Sequence, residues 1–283
     1  MAEGVEGLTQ FDRTYSDCLK QILDHGIEEV NERTGHKVKA LPGLHFNLDA
    51  GFPLLSLRKI APRVFAAEQV WFMMGSRKPV EFIDQYTKIW NDFTNLNGVV
   101  NSAYGFRWRQ FFGRDQVGLL VKLLEKERSS RHGVVITWDP AGDGLNPELK
   151  KKNVPCPLSF TVNIIGEKLH FHTIFRSNDM VVGCPFDVAG FALLQRMLAA
   201  RLGVGVGVYS HSISNAHIYD VHYDAALEII SRSGQENEIE LNAQPDWFER
   251  AEKGDVTLVD EIVQILDAQY TPAPPIKGLP VVL

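Results

Sequence analysis

The sequence predicts a single α/β domain of 283 residues built around a mixed β-sheet. Two strands, Pro157–Ile165 and Lys168–Phe175, are predicted, and Gly166-Glu167 joins them as a turn of hairpin type. A strong helix is predicted soon after, over residues 187–202, where apolar residues fall on one stripe. Because no low-complexity linker or internal repeat divides the chain, we expect one domain over residues 1–283.

The remaining elements are predicted from the spacing of their apolar residues. They are helices at 8–32, 61–74 and 116–130, a short strand and turn at 45–51, a strand at 133–138 and a polar loop at 140–153. The first helix is expected to end before the turn Arg33-Thr-Gly35, and the second is expected to end at Gly75.

Composition and charge exclude several classes of protein. A net charge of −6 argues against a broad nucleic-acid-binding surface, although a local basic pocket for a small phosphate is compatible with it. The N-terminus lacks a secretory signal, and no apolar run approaches the roughly 20 residues that span a membrane. Three cysteines, Cys18, Cys156 and Cys184, are too few for a disulfide framework or a Cys-rich zinc site. We therefore expect a soluble cytoplasmic protein with free thiols and no metal, membrane or nucleic-acid partner.

Cys156 is the candidate nucleophile. The prolines on either side of it, Pro155 and Pro157, fix an extended backbone that would hold the sulfur in one direction. A thiolate is strongly nucleophilic once nearby arginines lower its pKa. The alternative is a buried structural cysteine, which is the usual role of a free cysteine and the one expected for Cys18 and Cys184.

Two short patterns suit a nucleotide. Arg176-Ser177 offers a guanidinium and a hydroxyl to a phosphate, and His217 and Tyr219 lie two residues apart on one face of a predicted strand. The latter pair is placed to bind a sugar hydroxyl. Taken alone, the first pattern is more often solvated surface and the second is more often packing.

Glu68 stands out because it lies within an apolar helix. A buried carboxylate is costly unless it is paired or functional, and burial raises its pKa into a range suited to proton relay. Tyr104 begins the aromatic segment Tyr104-Gly-Phe-Arg-Trp-Arg109, which alone would indicate only core packing.

Ten ordered segments resemble the thymidylate synthase superfamily, from about Arg33 to the C-terminus. They are Glu-Arg33-Thr-Gly35, His45-Phe-Asn-Leu-Asp-Ala-Gly-Phe-Pro53, Glu68-Gln-Val-Trp71-Phe, Ile89-Trp90-Asn-Asp, Tyr104-Gly-Phe-Arg-Trp108-Arg, Pro155-Cys156, Arg176-Ser177-Asn-Asp179, Gly183-Cys-Pro-Phe186, His217-Ile-Tyr219 and Pro-Pro-Ile276-Lys277. The resemblance implies the family's three-layer α/β fold with a large mixed sheet, and homodimers joined sheet to sheet.

The same resemblance implies how the nucleotide is held. Cys156 would attack C6 of the pyrimidine of a nucleoside 5′-monophosphate. Arg33, Arg176 and Ser177 would bind the 5′-phosphate, and Arg131 would reach the phosphate from the partner subunit. His217 and Tyr219 would bind the ribose 3′-hydroxyl.

The resemblance also assigns the proton-transfer and folate-binding residues. Tyr104 would assist removal of the C5 proton, and Glu68 would organise water and protons at C4. Ile89, Trp90, Asp179 and the C-terminal residues would contact 5,10-methylenetetrahydrofolate, the one-carbon donor.

One departure from the family pattern concerns the base. Asp187 stands where thymidylate synthases have an asparagine that pairs with N3–H and O4 of uracil. Cytosine reverses that edge, and either a protonated Asp or a carboxylate facing N3-protonated cytosine satisfies it. Leaving a buried polar group unpaired costs about 1–3 kcal/mol, enough for a strong preference. In this respect the chain resembles the superfamily's deoxycytidylate hydroxymethylases.

Four further departures surround the site. Pro157 stands where the family usually has histidine, His132 replaces an arginine, and Phe93 replaces a tryptophan. The tail over residues 276–283 is one residue longer than is common, which would change how the closed site excludes water.

These features predict a (deoxy)cytidylate 5-hydroxymethyltransferase that adds water after one-carbon transfer. The alternatives left open by the sequence are a dCMP 5-methyltransferase, a thymidylate synthase acting on dUMP, and a non-catalytic nucleotide- or RNA-binding relative. The choice between CMP and dCMP is open as well, with Ser177 favouring dCMP.

Overall fold

The computed structural model describes residues 7–145 and 154–282. Part of the predicted loop at 140–153 therefore lies outside the described residues, as does the last residue of the tail. Its helices are α1 (Gln10–His25), α2 (Pro62–Met74), α3 (Tyr104–Phe106), α4 (Gln116–Lys126), α5 (Cys184–Leu202), α6 (Tyr223–Ser231), α7 (Trp247–Glu252) and α8 (Val256–Asp267). Its strands are β1 (Ile27–Val30), β2 (Lys37–Leu48), β3 (Val134–Ile136), β4 (Pro157–Ile165), β5 (Lys168–Phe175), β6 (Asn178–Asp179) and β7 (Gly205–Tyr219).

The seven strands form one mixed sheet in the order β1-β2-β7-β5-β4-β3, with β6 added beside β7. Strand β7 pairs antiparallel with β2 but parallel with β5 and β6. The predicted α/β class with a large mixed sheet is therefore confirmed, and the arrangement is consistent with the expected thymidylate synthase-like fold.

Helices cover the sheet in successive layers. Helix α5 packs on β5 and β7, and α1 packs on β2 and β7. Helix α2 packs in turn against α5, α7 and α8. Most residues of α5 are buried, which explains why its apolar residues are spread around the helix and extend beyond one stripe.

Alternation along the strands gives the sheet two different faces. In β5, Leu169, Phe171, Thr173 and Phe175 are buried, whereas the residues between them are half-buried. On the opposite face, His45 and His172 each lie 2.8 Å from the hydroxyl of Ser212. This second face is partly exposed and carries polar side chains.

Several predicted boundaries are confirmed and others are wrong. The bounds of β4 and β5 match the prediction to the residue, and α2 ends at Gly75, which adopts a left-handed conformation. The predicted first helix is wrong beyond His25, because Gly26 caps α1 and the chain continues as β1. All four residues of β1 are exposed, so this edge strand has no apolar alternation that a sequence pattern could reveal.

The remaining differences between prediction and structure concern the lengths of β2, α4 and α5. Strand β2 extends from Lys37, well before the predicted strand at 45–51, because it pairs along most of its length with β7. Helix α4 ends at Lys126, four residues early, and α5 begins at Cys184 with Pro185 in its first turn. Among the described residues, no helix is long and apolar enough to cross a membrane.

Gly105 allows α3 to approach α2 closely. A Cβ at this position would lie 2.0 Å from the carbonyl oxygen of Phe72 and 2.4 Å from its Cα. Only a glycine permits this separation, since both atoms belong to the backbone of α2. The contact fixes Tyr104, the neighbouring residue, next to α2.

Gly105→Ala is therefore expected to destabilise the protein by about 1–3 kcal/mol or more, as overpacking does. Gly190→Ala is the matched control, because its Cβ would meet Gln69 Oε1 at an ordinary 3.7 Å. That second change should be neutral or stabilise α5 by up to about 1 kcal/mol through helix propensity. Urea unfolding of both variants tests the pair, and equal free energies of unfolding would contradict the close approach.

Candidate active site

A cavity of about 720 Å³ lies between α2, the N-terminus of α5 and the ends of several strands. Every site residue predicted from the sequence lines it except Arg131. The lining members of that set are Arg33, Glu68, Ile89, Trp90, Tyr104, Cys156, Arg176, Ser177, Asp179, Asp187, His217 and Tyr219. Arg131 lies exposed on the surface, outside the lining residues.

Arg176 holds the segment that carries Cys156. Its Nε donates to the carbonyl of Pro155 at 2.8 Å, and its Nη2 donates to the carbonyl of Val154 at 3.1 Å. The backbone N–H of Arg176 also donates to the carbonyl of Cys156, at 2.9 Å. These bonds fix the backbone on both sides of the thiol, just before β4 begins.

The thiol of Cys156 is half-buried in the cavity wall, whereas Cys18 and Cys184 are buried. Burial raises its pKa, and although Arg176 and Arg33 lower the pKa, they do not outweigh that effect. The expectation that arginines would leave the pKa of this thiol below its ordinary value is therefore wrong. The sulfur is held as a thiol, so its proton must leave as the sulfur attacks.

Cationic and hydroxyl groups gather at one end of the cavity. Arg33 is exposed at the rim, in the turn between β1 and β2, and its charge acts against the burial that raises the pKa of Tyr219. Ser177 Oγ lies 3.5 Å from His217 Nδ1. This end offers a guanidinium, a hydroxyl and an imidazole to one ligand, as phosphate and sugar binding require.

His217 and Tyr219 lie next to each other at the end of β7. Their ring centroids are 4.9 Å apart and the rings are nearly perpendicular, at 84°. Burial lowers the pKa of His217, so the neutral imidazole is favoured, which can both donate and accept a hydrogen bond. The predicted placement of these two side chains on one face is borne out by their common lining of the cavity.

Glu68 projects from α2 into the opposite end of the cavity. Burial raises its pKa to about 7, as the sequence predicts, while a hydrogen bond from Trp90 acts in the opposite direction. Trp90 Nε1 donates to Glu68 Oε1 at 2.7 Å. This bond was not anticipated, because Trp90 lies 22 residues away and was assigned to folate alone.

Tyr104 is packed among aromatic rings beside Glu68. Its ring centroid lies 5.1 Å from that of Phe72 and 5.7 Å from that of Trp90. Burial raises the pKa of its phenol well above the ordinary value, so the hydroxyl stays protonated and can donate a hydrogen bond.

Asp187 lies in the first turn of α5, where a helix N-terminus favours a negative charge. Burial nevertheless raises its pKa to about 7, against a hydrogen bond from Asn178 that lowers it. Asn178 Nδ2 donates to Asp187 Oδ2 at 2.7 Å. Sequence reasoning missed Asn178, although the residue lies inside the segment Arg176-Ser-Asn-Asp179.

A comparison with known protein families matches residues 13–279 to the thymidylate synthase family. The chain belongs to the thymidylate synthase family. This membership indicates a folate-dependent one-carbon transferase that acts on a pyrimidine nucleotide, and thymidylate synthases use 5,10-methylenetetrahydrofolate as cosubstrate.

The cavity of this thymidylate synthase relative has a wall suited to a flat aromatic cosubstrate. Ile89, Trp90 and Phe93 line it from one segment, and Val281 and Val282 of the tail line it as well. Their apolar and aromatic surfaces match a pterin ring. Within residues 7–145 and 154–282, no three His, Cys, Asp or Glu side chains are grouped closely enough to hold a metal ion.

Asp179 lies where this wall meets the tail. Its Oδ1 accepts hydrogen bonds from the backbone N–H groups of Val181 and Val182, at 2.9 and 3.0 Å. His222 is buried with its Nδ1 3.9 Å from Asp179 Oδ2, and its Nε2 donates to the carbonyl of Pro280 at 2.9 Å. One buried histidine thus binds the tail and lies close to the predicted folate-binding carboxylate.

Asp187→Asn is expected to remove a pH-dependent cost from folding. Since the pKa of Asp187 rises on folding to about 7, the folded protein holds this proton more tightly than the unfolded chain does. Acid therefore favours the folded state through this group, and that contribution is lost as the pH rises from about 4 to about 7. Measured by urea unfolding, the stability of the variant relative to wild type should increase between about pH 5 and about pH 8.

Asp255→Asn provides a control with the opposite sign. Hydrogen bonds from Thr257 and Arg250 lower the pKa of Asp255 to about 2, so its stabilising contribution is present at neutral pH and lost in acid. This variant should lose stability relative to wild type at neutral pH. If both variants responded to pH in the same way, the assigned pKa shift of Asp187 would be wrong.

Proposed function

We propose that this thymidylate synthase family member is a deoxycytidylate 5-hydroxymethyltransferase, most similar in its chemistry to the superfamily's cytidylate and deoxycytidylate hydroxymethylases. The observation that carries this proposal is a carboxylate, Asp187, enclosed in the cavity wall with a pKa of about 7. The family pattern has an uncharged amide at this position. A cytoplasmic, reducing location is part of the proposal, because the reaction needs Cys156 as a free thiol.

Proton sharing favours cytosine over uracil at such a carboxylate. A carboxyl group and cytosine keep two hydrogen bonds whether the shared proton is on the carboxyl oxygen or on N3. Uracil has no comparable base at this edge, so an ionised Asp187 would face O4 with two acceptors opposed. Near neutral pH the ionised form is well populated, since the pKa is about 7. The unpaired acceptors would cost about 1–3 kcal/mol.

The rest of the nucleotide fits the other end of the cavity. Arg33, Arg176 and Ser177 supply two guanidinium groups and a hydroxyl for the 5′-phosphate. His217 and Tyr219 supply the imidazole and phenol for the 3′-hydroxyl. We favour dCMP over CMP because Ser177 is retained as in the deoxynucleotide enzymes of the family.

The proposed reaction begins at Cys156. Its sulfur forms a bond to C6 of the pyrimidine, and the thiol proton passes to the solvent network. C5 becomes nucleophilic and bonds to the methylene carbon of the folate cosubstrate. Tyr104, with its high pKa, donates a hydrogen bond to the water that accepts the C5 proton. Glu68, with a pKa of about 7, exchanges protons with the C4 side of the base.

The last step decides the product. Elimination of tetrahydrofolate leaves an exocyclic methylene at C5, which takes up water to give the 5-hydroxymethyl product and releases Cys156. We favour water because Phe93 and the longer tail alter the wall that excludes it. Trp90 is retained beside Glu68, which keeps hydride transfer and a 5-methyl product as the second candidate.

We also propose that the active form is a homodimer. Arg131 is exposed and outside the cavity lining of its own chain, as expected for a residue that completes the partner's phosphate site. The partly exposed sheet face around His45, His172 and Ser212 is the surface on which the two copies would meet.

The function is tested by offering dCMP, CMP and dUMP, each tritiated at C5, together with 5,10-methylenetetrahydrofolate. We expect fastest tritium release from dCMP and no dihydrofolate absorbance. Faster turnover of dUMP would contradict the cytosine assignment. Dihydrofolate formed in step with tritium release would make the enzyme a methyltransferase.

Two substitutions sharpen this test. Asp187→Asn should shift the ratio of kcat/KM for dCMP over dUMP toward dUMP by about tenfold or more, since an amide suits uracil. Cys156→Ser should abolish turnover of every nucleotide. Cys18→Ser is the control, because Cys18 is buried in α1 and does not line the cavity.

A mixed dimer tests the role of Arg131. Arg131→Glu and Cys156→Ser homodimers should each be nearly inactive. In a mixed dimer, the intact Cys156 of one chain would meet the intact Arg131 of the other, giving one complete site. Refolding the two variants together should restore about a quarter of wild-type activity, because half of the random dimers carry one complete site. Activity that stays at the level of the separate variants would contradict the shared site.

A further inference from the structure

His211 is a buried histidine that the proposed reaction does not use. It lies on the covered face of β7, with its ring stacked on that of Phe46 at 5.1 Å and tilted against that of Phe175 at 4.7 Å. Its side chain has no exposed surface. A polar ring in such surroundings is costly unless its nitrogen atoms are hydrogen-bonded.

The nitrogen atoms of His211 connect a pair of hydroxyls to the base-reading carboxylate. On one side, Nδ1 lies 2.7 Å from Thr173 Oγ1 and 3.0 Å from the hydroxyl of Tyr209. On the other side, Nε2 lies 3.3 Å from Asn178 Oδ1. Asn178 in turn donates to Asp187. A continuous hydrogen-bonded chain therefore runs from the sheet to Asp187.

The direction of each hydrogen bond in this chain follows from the carboxylate. An ionised carboxylate only accepts, so the Asn178 amide must turn its N–H group to Asp187 and its oxygen to His211. His211 Nε2 must then carry a proton. Burial lowers the pKa of His211 to about 3, so the ring is neutral and Nδ1 accepts a hydrogen bond from the hydroxyl of Thr173 or Tyr209. The neutral Nε2–H tautomer is thereby specified.

Other titratable groups shift the pKa values of His211 and Asp187, the two titratable residues of this hydrogen-bonded chain. His172 and His45, on the far face of the sheet, lower the pKa of His211 further. The negative charge of Asp179 raises the pKa of Asp187. The negative charge of Asp187 in turn raises the pKa values of four neighbours: Glu68, Tyr104, Cys156 and Cys184. Burial and Asp179 both raise the pKa of Asp187, whereas the hydrogen bond from the Asn178 N–H lowers it and so favours the charged form.

We infer that Asn178 and His211 are positioning residues for base specificity, which act by keeping Asp187 Oδ2 as a hydrogen-bond acceptor. This inference rests on the proposed function of Asp187. With Oδ2 facing the C4 substituent, the amino group of cytosine can donate to it while Oδ1 shares a proton with N3. Uracil needs the reverse, a donor at C4, which Oδ2 supplies only when it is protonated, and the hydrogen bond from Asn178 disfavours that protonation.

The test compares kcat/KM for dCMP and for dUMP across four variants. Asn178→Ala and His211→Phe should each lower the dCMP-over-dUMP ratio about tenfold, the effect of one unsatisfied polar group. His211→Gln keeps an N–H that can donate to Asn178 and should recover most of the ratio. Tyr209→Phe is the matched control, because the Thr173 hydroxyl, 2.7 Å from Nδ1, can still donate to it, and its ratio should stay at the wild-type value.

A second measurement in the free protein does not depend on the substrate. In Asn178→Ala, carbon NMR of Asp187 should show its pKa raised above about 7, since the stabilising N–H is gone. A wild-type enzyme that prefers dUMP would overturn the proposed function and this inference together. A wild-type preference for dCMP that persists unchanged in Asn178→Ala, or an unchanged pKa of Asp187, would overturn this inference alone.

Discussion

The cost of enclosing two carboxylates in one cavity is the constraint on which the rest of the site depends. Glu68 and Asp187 both reach a pKa of about 7, and each is held by a single side-chain N–H, from Trp90 and Asn178 respectively. Such groups are destabilising unless the surrounding structure fixes them. Helices α2 and α5 supply that rigidity, because they pack against each other and each carries one of the carboxylates. The folded protein thereby holds two carboxyl groups that titrate near neutral pH, as the proton transfers of the proposed function require.

The elements that the sequence predicted correctly are those determined by residues close together in the chain. The hairpin of β4 and β5 and the capped end of α2 match the structure because alternation, a two-residue turn and a glycine cap are all short-range features. Strand β1 and the full length of β2 were missed, since their positions are set by pairing with partners distant in sequence. The same limit applies to the site. The resemblance to a known family supplied the residues that line the cavity, but neither the bond between Trp90 and Glu68 nor the contacts of Asn178 could be read from it.

Arg176 connects the segment that carries Cys156, the proposed nucleophile, with the proposed phosphate end of the cavity. Two of its guanidinium N–H groups hold the carbonyls of Val154 and Pro155, so its position is set before any ligand arrives. A group that is already ordered loses little side-chain entropy on binding. Because the same bonds fix the backbone of Cys156, any displacement of the guanidinium would also displace the sulfur. In the proposed function, phosphate binding and the position of the attacking sulfur are therefore coupled through one residue.

The burial of Cys156 affects how readily its thiol is oxidised in the resting protein. Oxidation by peroxide proceeds through the thiolate, and susceptibility follows thiolate character and exposure. Cys156 is half-buried and its pKa is raised, so near neutral pH only a small fraction of the sulfur is charged. Two guanidinium N–H groups of Arg176 are also bonded to backbone carbonyls. In the proposed function, the resting protein thus limits oxidative damage to its nucleophile, and the reactive charge would develop only as the sulfur attacks a bound pyrimidine.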